Sequence, residues 1–155
     1  MLTCLPKSIC SWDYRVLGTA SGPAEVTFGV ITKPGIITLG PECHAARKHG
    51  WCSGKWTLEH GGKVEVEARQ PRLLLRHYEL RGEGGEYSLQ AKTAFRGRYD
   101  LTSGGVLVGS IWPAHAFTKR AFIQCDASVP EITQLFAFWL AALTWRETTN
   151  VVATS

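Results

Sequence analysis

Residues 128–146 read Ser-Val-Pro-Glu-Ile-Thr-Gln-Leu-Phe-Ala-Phe-Trp-Leu-Ala-Ala-Leu-Thr-Trp-Arg, and no other stretch constrains the fold as tightly. Ser128 stands three residues before Glu131, the spacing of a capping box, and Pro130 falls in the first turn, where a missing N–H costs no hydrogen bond. At about 100° per residue, Leu135, Trp139, Ile132, Leu143, Phe136 and Leu140 cover roughly half of the circumference, and Phe138 and Trp145 widen that face. Thr133, Ala137, Ala141 and Thr144 form a small-residue stripe on the remainder. A helix apolar all round is either buried in a large core or crosses a membrane. The longest run without a polar residue, 135–143, is nine residues, and 129–145 still holds Glu131 and Gln134. A membrane span needs about 20 apolar residues, so the helix is expected inside a core and the protein is not expected to be transmembrane.

Everything before residue 127 reads as β-structure. Short runs rich in Val, Thr, Tyr, Trp and Leu alternate with glycine turns, with candidate strands at about 12–20, 24–32, 35–39, 43–49, 54–60, 63–69, 72–81, 86–94, 97–102, 106–112 and 118–125. The connections are too short for crossovers, so neighbouring strands should be antiparallel. Register follows from matching apolar faces. A three-residue loop His60-Gly61-Gly62 sets Leu58 opposite Val64 and Trp56 opposite Val66. A two-residue loop Glu83-Gly84 sets Leu80 opposite Tyr87, Tyr78 opposite Leu89 and Arg81 opposite Glu86. Thr102-Ser103-Gly104-Gly105 marks a third hairpin of open register. A sheet of this many antiparallel strands must curl. Large apolar helix side chains gain about 1.5–3 kcal/mol each on burial, too much to leave outside. The expected fold is mainly β, an antiparallel closed β-barrel of about 10–12 strands around a central hydrophobic C-terminal helix at 128–146. It forms one domain over 1–147, followed by a flexible tail at 148–155.

The pattern Leu74-x-Arg76-x-Tyr78-Glu79-Leu80, a glycine turn, Tyr87-x-Leu89, then Tyr99-Asp100-Leu101, a glycine turn, Val108-Gly109-x-Ile111 and a final apolar helix resembles the tubby-like barrel superfamily. The likeness is to its compact LURP-one-related and phospholipid-scramblase-like members, and covers roughly residues 12–146. The resemblance implies a twelve-stranded antiparallel barrel closed around a hydrophobic C-terminal helix. It also implies a binding domain, with anionic lipid headgroups as a ligand class. The basic set that tubby proteins use for phosphoinositides cannot be placed on this sequence. Neither the cysteine-rich nor the acidic calcium-binding segment of the scramblases is present.

Composition narrows the function further. In 155 residues with 45% hydrophobic and 19% charged content the chain is globular, and its net charge is +4. Residues 44–100 hold eleven Lys/Arg against seven Asp/Glu, the whole of that excess, which invites an anionic membrane surface or protein partner. No block of like charges resembles a nucleic-acid arm, and no nucleic-acid partner is expected. Five cysteines without a Cys-x-x-Cys, in a chain long enough to build a core, point to reduced thiols and a cytoplasmic protein. The N-terminus lacks the long apolar core of a signal peptide.

Enzyme chemistry finds little footing: there are no paired carboxylates, no phosphate loop and no nucleophile–base spacing. Cys43-His44, His49 and Cys52 have zinc-ligand types, and a Cys/His metal-dependent enzyme is one alternative; on a strand, however, Cys43 and His44 face opposite ways. Cys125, between the last strand and the helix, is expected to be buried and inert. Gly54-Lys55-Trp56 is similar to the Gly-x-Trp of lipocalins, which makes a small-ligand carrier the other alternative, but it lies mid-chain. Arg96, Arg98, Lys119 and Arg120 are the candidate contacts for an anion or lipid headgroup. No cofactor and no metal are expected, and the function anticipated is non-enzymatic binding or scaffolding.

Overall fold

The computed structural model describes residues 1–29, 33–50, 52–71, 76–92, 97–115 and 117–154. Among the described residues twelve strands precede one helix: β1 (Leu2–Pro6), β2 (Tyr14–Leu17), β3 (Ala24–Thr27), β4 (Gly35–Leu39), β5 (Glu42–His49), β6 (Lys55–His60), β7 (Lys63–Arg69), β8 (His77–Gly82), β9 (Gly85–Ala91), β10 (Tyr99–Ser103), β11 (Val106–His115), β12 (Thr118–Cys125) and α1 (Glu131–Thr154). Each strand pairs antiparallel with its sequence neighbours, and β1 closes the sheet onto β12. Closure leaves no unpaired edge, the usual liability of an antiparallel sheet. β1 is absent from the strands read off the sequence, yet it is the closing stave. Leu2, Thr3 and Cys4 pair with Ile123, Phe122 and Ala121 on one side, and Thr3 to Pro6 pair with β2 on the other. Its five residues alternate only briefly, with Leu2 and Cys4 inward, and the strand is stabilised by two neighbours distant in sequence.

The Glu83-Gly84 hairpin has the expected register: Leu80 opposite Tyr87, Tyr78 opposite Leu89, and Arg81 opposite Glu86 with an Nε–Oε1 distance of 2.9 Å. The β6–β7 hairpin departs from expectation. Its loop is Gly61-Gly62, His60 faces Lys63, and a bulge after Leu58 sets Leu58 opposite Val66 and Trp56 opposite Ala68. Val64, expected inward, is 45% exposed. The physical reason is the turn. Both glycines have positive φ, 58° and 80°, as a two-residue type I′ hairpin requires, and the bulge absorbs the extra residue. The β10–β11 hairpin repeats the device, with Gly104 and Gly105 at 57° and 81° and a bulge after Leu101.

α1 runs through the barrel. Every residue from Thr133 to Ala142 is buried, and Leu135, Phe136, Phe138 and Leu140 are fully so. The inward faces of the strands supply the surrounding shell, including Tyr14, Ile37, Leu58, Leu89, Leu101, Ile111 and Ile123. Tyr14 meets Phe138 edge-on at 4.9 Å, and Phe28 stacks on Trp139 at 5.5 Å. The indole N–H of Trp139 donates to the Thr27 carbonyl at 3.2 Å. A Cβ on Gly35 would come within 2.5 Å of that indole nitrogen, so only glycine admits the helix here.

Two helix expectations change. The capping box does not form: the Glu131 carboxylate accepts the Ala20 N–H (2.7 Å), the Ser21 N–H (2.9 Å) and the Ser21 hydroxyl (2.6 Å), tying the helix start to the β2–β3 turn. The helix also continues past 146 through the segment expected as a tail, to Thr154. There Thr148 and Thr149 hydroxyls donate to carbonyls four residues back.

The meander sorts its connections between two ends. The helix enters beside the β2–β3, β4–β5, β6–β7, β8–β9 and β10–β11 turns. It leaves between the β1–β2, β3–β4, β5–β6, β7–β8, β9–β10 and β11–β12 connections.

Candidate anion-binding end

The two ends differ in charge. The exit end gathers cations from strand termini and loops far apart in sequence: Lys33 before β4, Arg47 and Lys48 at the end of β5, Arg76 before β8, Lys119 and Arg120 at the start of β12, and Arg146 on α1. The entry end carries exposed Glu42, Glu83, Glu86 and Asp126, with Glu131. The spatial grouping is therefore not confined to the sequence middle that holds the net excess, since Lys33, Lys119, Arg120 and Arg146 join Arg47, Lys48 and Arg76. It follows loop parity: every second connection of an up-and-down barrel lands at the same end.

A groove of about 540 Å³ opens at the exit end, where α1 leaves the wall between β3–β4 and β5–β6. Phe28, Trp56 and Trp139 give it an aromatic floor, and Lys33, Lys48 and Arg146 give it positive charge. Lys48 Nζ lies 5.5 Å above the Trp56 ring, and the Arg146 guanidinium lies 5.5 Å above Phe28. Such cation–π seats hold a charge at an aromatic face while leaving its outer side available. Among the described residues, Lys33, Lys48 and Arg146 have no carboxylate within ion-pair distance. Arg47 does: its Nε is 2.8 Å from Glu59. Glu147 also lines the groove, at its helix side. His49 is held by Thr57 through an Nε2–Oγ1 contact of 2.6 Å. The Trp56 indole nitrogen is buried without a hydrogen-bond acceptor among the described residues.

The residues singled out from sequence fare unevenly. Arg98 is committed to the wall: its Nε is 3.2 Å from Asp100, its Nη2 donates to Ser110 at 3.1 Å, and its guanidinium covers Trp112. Lys92 reaches the other Asp100 oxygen at 3.3 Å. Burial pushes the Asp100 carboxyl up, but Ser110, Arg98 and Lys92 outweigh it and hold it below the ordinary carboxylate range. Lys119 donates to the Ser11 carbonyl at 3.1 Å and sits 4.7 Å over Trp12. Arg120 is exposed on the outer wall. Arg96 lies outside the described residues. The structure does not gather these four into one pocket; Lys33, Lys48 and Arg146 were missed because they come from three unrelated parts of the chain.

The cysteines and histidines scatter. Cys43 is exposed and His44 is buried, the opposite faces their spacing requires, while His49 lies at the other end of β5. Among the described residues no group of three or more His, Cys, Asp or Glu is placed to hold a metal. Burial, then Asp126, pushes the Cys125 thiol up to about 11, so it is protonated at neutral pH.

His44 forms an unexpected cluster at the entry end. Its Nδ1 is 2.6 Å from Glu65 and its Nε2 is 3.5 Å from Glu42, and its ring lies 4.8 Å from that of His60. His44 Nδ1 and Glu65 Oε2 are both buried, and their close approach does not have the geometry of a hydrogen bond. His60 is pushed upward, first by its Nδ1 contact with the Cys43 carbonyl at 2.9 Å, then by Glu42 and Glu65, against burial.

Among the described residues no helix is long and apolar enough to cross a membrane. The outer wall carries Arg47, Glu67, Arg81 and Glu86, whereas a membrane-spanning barrel presents an apolar band to lipid. Comparison of the chain with protein-family models, with curated proteins and with solved structures finds no match.

Proposed function

We propose that this barrel is a non-enzymatic binding domain of tubby-like kind, which takes an anionic headgroup in the groove at its helix-exit end. The observation that carries the reading is the convergence there of Lys33, Lys48 and Arg146 over aromatic rings, with no described carboxylate paired to any of the three. Phosphate or carboxylate oxygens suit such a set, because guanidinium and ammonium donors make charge-assisted hydrogen bonds to them. The interior supports binding over catalysis: α1 occupies the space in which a small-ligand carrier or a barrel enzyme would hold its substrate. Free exposed thiols at Cys10, Cys43 and Cys52 favour a reducing, cytoplasmic setting.

The test is co-sedimentation with neutral and acidic vesicles at low and high salt, with the triple variant K33E/K48E/R146E beside the wild type. The reading expects pelleting with acidic vesicles only, weakened by salt and lost in the variant. Equal pelleting with both vesicle types, or none with either, removes the headgroup and leaves a protein-interaction scaffold.

A further inference from the structure

Two large apolar side chains at the exit end are left almost wholly in water. Ile9, in the β1–β2 loop, is 93% exposed, and Phe117, in the β11–β12 turn, is 92% exposed. Their loops are neighbours, because β1 and β12 are the strands that close the barrel. They are also braced. Lys119 donates to the Ser11 carbonyl at 3.1 Å and covers Trp12, fastening the β1–β2 loop to the start of β12. The Phe117 N–H donates to His115 Nδ1 at 3.2 Å, and the two rings lie 5.3 Å apart. On the other side Asp13 accepts the Phe28 N–H at 3.1 Å, joining the same loop to the β3–β4 connection and hence to the groove. Two large apolar side chains are thus held out in water beside a basic surface by three polar ties.

Resting on the headgroup reading above, we infer that Ile9 and Phe117 are the insertion points by which the exit end docks on an anionic bilayer, with the barrel axis steep to the membrane. Charge selects the occupant. The entry end exposes apolar side chains too, among them Leu17, Val64, Val106 and Leu107, but there Glu42, Glu83 and Asp126 outnumber the exposed Lys63 and would repel an anionic surface, while Glu86 is paired with Arg81. At the exit end the apolar tips lie with Lys33, Lys119, Arg120 and Arg146. Of the carboxylates there, Asp100 and Glu67 are engaged by Lys92 and Arg98 and by Lys55 and Arg69, Asp13 accepts the Phe28 N–H, and Glu147 lines the groove beside Lys33, Lys48 and Arg146. Basic residues near an anionic leaflet draw the protein in, and apolar tips then lower its escape by leaving water for the acyl boundary. Adsorption by charge alone is lost in high salt, whereas inserted tips leave a salt-resistant remainder.

The experiment uses the full chain with phosphatidylcholine vesicles, alone and with phosphatidylserine, over a salt series. I9S/F117S is compared with wild type and with V106S/L107S at the entry end. All the changed residues are more than half exposed, and thermal melts of both variants should match wild type. Expected is a salt-resistant fraction of wild type on acidic vesicles, a loss of about tenfold or more in vesicle affinity for I9S/F117S, and none for V106S/L107S. Inositol hexakisphosphate, a soluble polyanion, should bind I9S/F117S and wild type alike. Equal vesicle affinity of I9S/F117S and wild type would overturn the insertion and leave the groove reading standing. Failure of wild type to bind both acidic vesicles and the soluble polyanion removes the headgroup reading and the insertion together.

Discussion

Truncating Phe138 to alanine reports on whether α1 is structural cargo or the core itself. Phe138 is fully buried midway along the helix, edge-on to Tyr14 at 4.9 Å and T-shaped to Trp145 at 6.1 Å. Its ring is enclosed on all sides by a hydrogen-bonded wall that cannot close inward without breaking the barrel's register. Phe→Ala in such a site costs about 3–5 kcal/mol, and the rigid wall puts F138A toward the upper part of that range. Each aromatic pair lost contributes about 0.5–1.5 kcal/mol within it. For a domain of ordinary stability, about 5–15 kcal/mol, a loss of about 4 kcal/mol lowers the folded-to-unfolded ratio roughly a thousandfold. Urea unfolding followed by tryptophan fluorescence and by far-ultraviolet circular dichroism measures it, through the midpoint at constant slope. A loss below about 1 kcal/mol would mean that the helix lies outside the barrel, and the threaded architecture would be refuted.

Gly35→Ala should destabilise by about 1–3 kcal/mol, since the added methyl meets Trp139 Nε1 at 2.5 Å and the Thr27 carbonyl at 2.8 Å; an unchanged unfolding midpoint would show that the helix has room to move. The Glu131 carboxyl is lowered, its burial outweighed by the Ser21 and Ala20 hydrogen bonds, so its contribution is complete above the unfolded carboxylate range and fades as pH falls through the lowered value. E131Q should therefore flatten the acid side of the stability–pH curve, and a parallel curve for variant and wild type counts against the contact. His60 is raised above 6.5, so its contribution is complete below that pH and is lost as pH rises through the raised value. H60Q should remove that alkaline fall, read as urea midpoints from pH 5 to 9.

How much was legible in the residues varies by element. The Glu83-Gly84 hairpin was, because its alternation continues unbroken on both sides of the turn and one register satisfies both faces. The β6–β7 hairpin was not: alternation assumes one residue opposite one, and the bulge after Leu58 violates that count to satisfy the geometry of Gly61-Gly62. The apolar helix was legible because burial on every side leaves no polar face. Glu131's partner was not, because a local cap at Ser128 and a distant turn at Ala20 and Ser21 offer the carboxylate the same kind of donors.

Local sequence settles the class of fold: a greasy helix whose apolar run is too short to span a bilayer, preceded by antiparallel strands that must curl, leaves a barrel around the helix. These are local and periodic facts, and each residue reports its own side of the wall. Tertiary structure alone decided that β1 closes the barrel, which end is basic, and that Lys33, Lys48 and Arg146 meet at one groove while Arg98 is spent on Asp100. The reason is that a meander returns to the same end only at every second turn. Neighbours at that end are therefore separated by two strand lengths of chain, and no window short enough to show periodicity can contain them.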